Sequence, residues 1–170
     1  SPTPSLTPTT ISITTNVDES ILPILTGMVS LLRQDGAYLF YAFCTEDICL
    51  NALADLGFNI SDTYSVGFAV IPSELGRVKE LCPSGSVHLR HLGFTNIGNQ
   101  FIHNLDGKGY SMGFVSVVNG ACGATKPIYQ YKNKVGEVWY GFHDSLWNST
   151  LPEWKIQDSG RPQFYIWREE

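Results

Sequence analysis

The pentapeptides YSVGF (64–68) and YSMGF (110–114) are near copies, and nothing else in this chain restricts its fold as strongly. Self-similarity at a spacing of tens of residues marks a chain assembled from copies of one supersecondary unit, and it outranks local propensity. A third, degraded copy follows. Phe164 in QFYIW stands after the turn-forming stretch Ser159-Gly160-Arg161-Pro162, much as Phe68 and Phe114 follow Gly67 and Gly113. A second landmark keeps step, with Phe58 ahead of Phe68 and Trp154 ahead of Phe164 at the same interval.

Each copy also has a front half. MVSLLRQDGAYLFY (28–41), SVHLRHLGFTNIGNQFIH (86–103) and KPIYQYKNKVGEVWYG (126–141) share one grammar. An alternating run leads into a polar connection ending at Gly36, Gly98 or Gly136. A second run follows, with the apolar pairs Leu39-Phe40, Phe101-Ile102 and Trp139-Tyr140 equally placed after the glycine. This is the sequence form of a β-hairpin.

Between the halves the copies diverge. In CTEDICLNALADLGF the residues Ile48, Leu50, Leu53 and Leu56 make a helical stripe, opened by Thr45 with Glu46 and Asp47 and ended by Gly57. HDSLWNSTLPEW is too short and Pro-broken for more than one turn, and LDGKG is a bare turn. Three units are too few for a propeller. The expected fold is therefore mainly β, with three pseudo-repeats (about 28–72, 86–118 and 126–167) in a closed, β-trefoil-like arrangement and a short helix in the first. The repeats fill a single domain over 21–170, preceded by a Ser/Thr/Pro-rich linker or stalk over 1–20.

VSLLRQDGAYLFYAF and PIYQYKNKVGEVWYGFHDS, with ALADLGF…SVGFAV and LPEW…RPQFYIW, resemble a secreted repeat module of unknown function. That module is often found in triplicate on microbial hydrolases and surface proteins. The resemblance spans 28–167 and implies an extracellular location and a binding or scaffolding role. It brings no catalytic residues. The second unit departs most, lacking the helix and the paired tyrosines.

Apolar content (43%) and modest charge (16%) describe a globular chain, and a net charge of -5 speaks against a nucleic-acid partner. No apolar run approaches the ~20 residues that cross a bilayer, so no direct membrane insertion is expected. The four cysteines, with sequons at Asn59 and Asn148, point to an oxidising, secreted or cell-surface setting. Of the three possible pairings, the repeat plan favours Cys44–Cys49, closing a local loop at the helix, and Cys82–Cys122, clasping the second unit. The cysteine spacings fit no ordinary zinc finger, and no metal or other cofactor is expected.

No nucleophile elbow, zinc-protease or phosphate-loop motif occurs, and no carboxylate pair stands out for glycoside chemistry, so the expectation is not an enzyme. His88 and His91, three apart on a presumed strand, would point to opposite faces. His103, near Asp106, ends the second hairpin. Rings that break the repeat equivalence are the better binding candidates, which singles out Tyr38 and Trp147. The ligand-binding set is thus Tyr38, Trp147, His103 and Asp106. The expected work is recognition of a glycan or a cell-surface protein. The alternatives are a purely structural or adhesion ectodomain with protein partners only, and a secreted glycoside-acting enzyme.

Overall fold

The computed structural model describes residues 21–168 except 37, 46, 98–99 and 143–153, and for residues 38, 39, 47, 48, 97, 100 and 101 it describes the backbone alone. The expected stalk over 1–20, and with it Trp147, His143 and the Asn148 sequon, lies outside the described residues.

In chain order the strands are β1 (Thr26–Asp35), β2 (Tyr38–Cys44), β3 (Asn59–Ala69), β4 (Leu89–Ile97), β5 (Gln100–Asn104), β6 (Tyr110–Ser116), β7 (Lys126–Lys132), β8 (Val138–Gly141), β9 (Lys155–Ile156) and β10 (Phe164–Ile166). Two helices join them, α1 (Asp47–Asp55) and α2 (Leu75–Leu81). The fold is mainly β, in two sheets. One is ordered β2-β1-β3; the other is ordered β5-β4-β6-β10-β7-β8, with β9 added on β7.

One local plan recurs in both sheets. The first strand of each hairpin is central, so β1 lies between β2 and β3, β4 between β5 and β6, and β7 between β8 and β10, always antiparallel. The three outer strands then touch one another through single pairs: Val70 with Phe114, Ser116 with Tyr165, and Trp167 with Phe68. The expected closed barrel does not form. β10 has three residues and shares one pair with β6, so its ladder is too short to carry hydrogen bonding around a ring.

These pairings also correct the register of the echo. Phe68 faces Gly27, Phe114 faces His91, and Tyr165 faces Pro127, each on the central strand of its hairpin. The counterpart of Phe68 is therefore Tyr165, one place beyond Phe164. A one-residue shift in a strand exchanges its faces, and Phe164 accordingly points inward, 1% exposed.

The echoed glycines lie where neighbouring backbones cross. A Cβ on Gly67 would lie 2.6 Å from the Trp167 carbonyl oxygen, and one on Gly113 would lie 2.8 Å from that of Val70. Gly113 also has φ +92, which strains any L side chain. Gly113→Ala is expected to lower stability by about 2 kcal/mol, read as an earlier urea midpoint at constant slope. Gly76→Ala, with open space around its α2 position, is the control and should be neutral or stabilising. Similar midpoints for the two variants would refute the crossing role.

Helix α1 forms where the apolar stripe placed it, with Leu53 buried, while Leu50 and Leu56 are only partly covered. Helix α2 is not apparent from the sequence: it is seven residues long and holds Gly76, and only its Val78 is buried. Both disulfides form in the favoured pairing, Cys44–Cys49 and Cys82–Cys122, with Cα atoms 5.8 and 5.9 Å apart. They fit an oxidising, extracellular setting. Among the described residues no helix is long and apolar enough to cross a membrane.

Candidate functional site

Three residues beyond the Phe68, Phe114 and Tyr165 contacts, the central strands reach Ser30, Phe94 and Gln130, and opposite these stand Phe43, His103 and Tyr140. The three side chains therefore hold the same place in three hairpins, and their rings meet. His103 lies 4.5 Å from Tyr140 and 5.2 Å from Phe43 between ring centres, and Phe43 lies 6.5 Å from Tyr140. Phe94 closes a further side at 5.4 Å from His103. An imidazole thus sits where its counterparts are a phenyl and a phenol.

His103 is 8% exposed, and neither of its ring nitrogens has a hydrogen-bond partner in the protein. Burial pushes its pKa down to about 3, because a charged ring would lose its hydration with no anion to replace it. The ring is consequently neutral, with one N–H donor and one bare acceptor nitrogen. Tyr140 differs in being anchored. Its hydroxyl accepts from Gln130 Nε2 at 3.1 Å, and burial raises its pKa.

A cavity of about 250 Å³ opens on these groups. His103 and Tyr140 line it with Phe164, Leu92 and Leu105, while Asn104, Asp106 and Gln163 supply its polar edge. The edge is held by a tight turn after β5. Asn104 Oδ1 accepts from the backbone N–H groups of Asp106 and Lys108, both at 3.0 Å, and its Nδ2 donates to the Lys108 carbonyl at 3.1 Å. This side-chain mimicry of a turn leaves the Asp106 carboxylate exposed. The cavity is therefore floored by the almost wholly buried side chains of His103, Tyr140 and Phe164, with amide and carboxylate groups along its polar edge.

Of the candidates read from the sequence, the fold brings His103 and Asp106 together in this cavity. Tyr38 opens β2, and its side chain lies outside the described residues, as does the whole of Trp147. Tyr140 and Gln163 are the site residues that sequence reasoning missed. Tyr140 enters the sequence reading only as the second member of the apolar pair after Gly136, and Gln163 carries no motif. His88 and His91 do not share a strand: His88 ends a 3-10 turn, and His91 stacks on Phe114 at 4.6 Å and meets Ser111 Oγ at 2.6 Å.

Asn59 is exposed at the start of β3. Its Oδ1 accepts from the backbone N–H and the hydroxyl of Ser61, at 3.1 and 2.8 Å. Between the pairs Asn59–Leu32 and Tyr64–Ser30, residues 60–63 stand opposite Leu31 alone and bulge outward, with Ile60 and Tyr64 45% and 42% exposed. Compared with known proteins, the chain matches no family model, no curated protein and no solved structure.

Proposed function

We propose that this chain is an extracellular, non-catalytic recognition domain of three related units, and that the cavity at His103 binds a glycan. The observation that carries the reading is the convergence on one cavity of an unpartnered buried imidazole, aromatic walls and uncharged amides. Aromatic faces stack on sugar C–H surfaces while polar groups take the hydroxyls. The two disulfides support a secreted setting. The recurring strand order and the cyclic Val70–Phe114, Ser116–Tyr165 and Trp167–Phe68 pairs support a pseudo-threefold plan akin to the secreted repeat module. A non-catalytic role agrees with the low basicity of His103, since a group titrating near 3 is poorly matched to proton transfer at neutral pH.

The test is a glycan array probed with the purified disulfide-bonded chain. Saturable binding to a defined set of structures is expected, and silence across a broad array would overturn the glycan reading. A second reading, a cell-surface protein partner, is favoured by the exposed Ile60 and Tyr64 on the β3 bulge. It requires cell binding that survives glycan removal and is lost in an Ile60→Ser, Tyr64→Ser variant.

A further inference from the structure

The first part of β3, residues 59–65, is exposed throughout, without the alternation that burying one face would impose. The reason is positional. β3 is an edge of its sheet, paired with β1 on one side, and among the described residues no strand pairs the other side of 59–65. The bulge then carries residues 60–63 outward. Asn59 stands where that bulge begins, in the tripeptide Asn59-Ile60-Ser61.

The side-chain amide of Asn59 is folded into a local turn. Its Oδ1 accepts from both the backbone N–H and the hydroxyl of Ser61, as in an Asx turn. A backbone N–H only donates, so the atom facing it is the oxygen, and the amide nitrogen Nδ2 takes the outer arm. These contacts reach two residues along the chain, so they need no tertiary structure and can form before folding. An exposed Asn with a hydroxyl two places on, and no Pro between, is the acceptor pattern for an N-linked oligosaccharide.

We infer that Asn59 is an N-glycosylation site, and that its oligosaccharide covers the free edge of β3. The donor class is an oligosaccharide carried on a lipid diphosphate. Nδ2 attacks the anomeric carbon of the first sugar, and a C–N bond forms as the C–O bond to the diphosphate breaks. The lipid diphosphate leaves with that electron pair, one amide proton passes to solvent, and nothing is oxidised or reduced. The inference shares the secreted setting with the recognition reading and is independent of what the cavity binds. Leu32 and Ser30, opposite Asn59 and Tyr64, are two residues apart on β1, which sets Asn59 and Tyr64 about 7 Å apart. An oligosaccharide on Asn59 therefore overlies Ile60 and Tyr64, exposed apolar side chains on an edge that would otherwise invite a second chain. It also counts against a protein contact through those two side chains.

The test is the full chain secreted from eukaryotic cells behind a cleavable signal. Trypsin separates the two sequons, since Asn59 lies between Arg33 and Arg77, and Asn148 between Lys134 and Lys155. Amidase release in heavy-oxygen water turns a glycosylated Asn into a labelled Asp, which mass spectrometry reads in the peptide 34–77. Label at Asn59 is expected in most molecules, kept in Ser61→Thr and lost in Ser61→Ala. An unlabelled Asn59 in the secreted wild-type chain would overturn the site, whether or not the variants fold. Sedimentation velocity then tests the cover. Ser61→Ala should self-associate about tenfold more tightly than the glycosylated chain. If that variant does not fold, the wild-type chain trimmed by an endoglycosidase takes its place. Equal association would overturn the covering role and leave the glycosylation site standing.

Discussion

Replacing Cys82 and Cys122 together by alanine is expected to lower the unfolding free energy by about 4 kcal/mol. The bridge spans a sequence separation of 40, so its removal frees a long loop in the unfolded chain. That loop is the whole of β4, β5 and β6, the unit that has no helix of its own between its strands. The bridge sits in a second, smaller core with Ile21, Val78, Ala124 and Trp167, and the Trp167 Nε1–H donates to the Cys122 carbonyl at 2.8 Å. Loss of the cross-link should therefore loosen the place where β10 returns to the first unit. Cys44–Cys49, with a separation of 5, offers the comparison. The same entropy argument gives about 2 kcal/mol for its removal. Urea unfolding of both double variants at pH 7 decides the matter, and equal losses would contradict the clasp.

The second large effect concerns acid. His103 is held near 3 in the folded chain and returns to its ordinary value of about 6.5 when unfolded. Between those values the unfolded chain carries a proton on this ring that the native chain lacks, so acid favours unfolding. Stability is full above pH 6.5 and falls as pH drops toward 3, by about 1.4 kcal/mol per unit. From pH 6.5 to 4.5 the loss from this one ring is about 2 kcal/mol, because at pH 6.5 the unfolded ring is already half protonated. Carboxylates add their own acid dependence in any variant, so the informative quantity is a difference. His103→Phe should lose about 2 kcal/mol less than the wild-type chain over that interval, measured by urea unfolding at both pH values. Equal losses would mean that the imidazole takes its proton in the folded state. The same substitution is thus expected to gain both stability and acid tolerance.

The origin of these effects separates what was legible in the sequence from what was not. Hairpins could be read because strand alternation and turn glycines are local signals. Helix α1 could be read because Ile48, Leu50, Leu53 and Leu56 share the helical period. The disulfide pairing followed from where the cysteines fall relative to the units. Helix α2 could not be read, because a seven-residue segment containing Gly76 has too little propensity and is held by the burial of Val78 against distant strands.

Register was the main error. Counting from the turn glycine aligns Trp139 with Leu39 and Phe101, whereas the fold places Tyr140 with Phe43 and His103. The β1–β2 hairpin runs on to pair Asp35 with Tyr38, while the β7–β8 hairpin stops where Lys132 meets Val138. The ladders run on for different lengths beyond the Ser30–Phe43, Phe94–His103 and Gln130–Tyr140 pairs. The strand bases, where units touch, are what must coincide.

The two echoed pentapeptides by themselves marked two like strands, and with them the like settings of Gly67 and Gly113. The local patterns around them determined the hairpins, the first helix and the cysteine clasp. Only the tertiary structure decided that the repeat does not close into a barrel, because that depends on how many pairs β6 and β10 share. It alone brought Tyr140 and Gln163 to His103 and Asp106, because residues on separate hairpins meet only after the strand bases dock. And it alone made His103 exceptional, since the burial of an imidazole and the absence of a partner are properties of its surroundings and not of the residue.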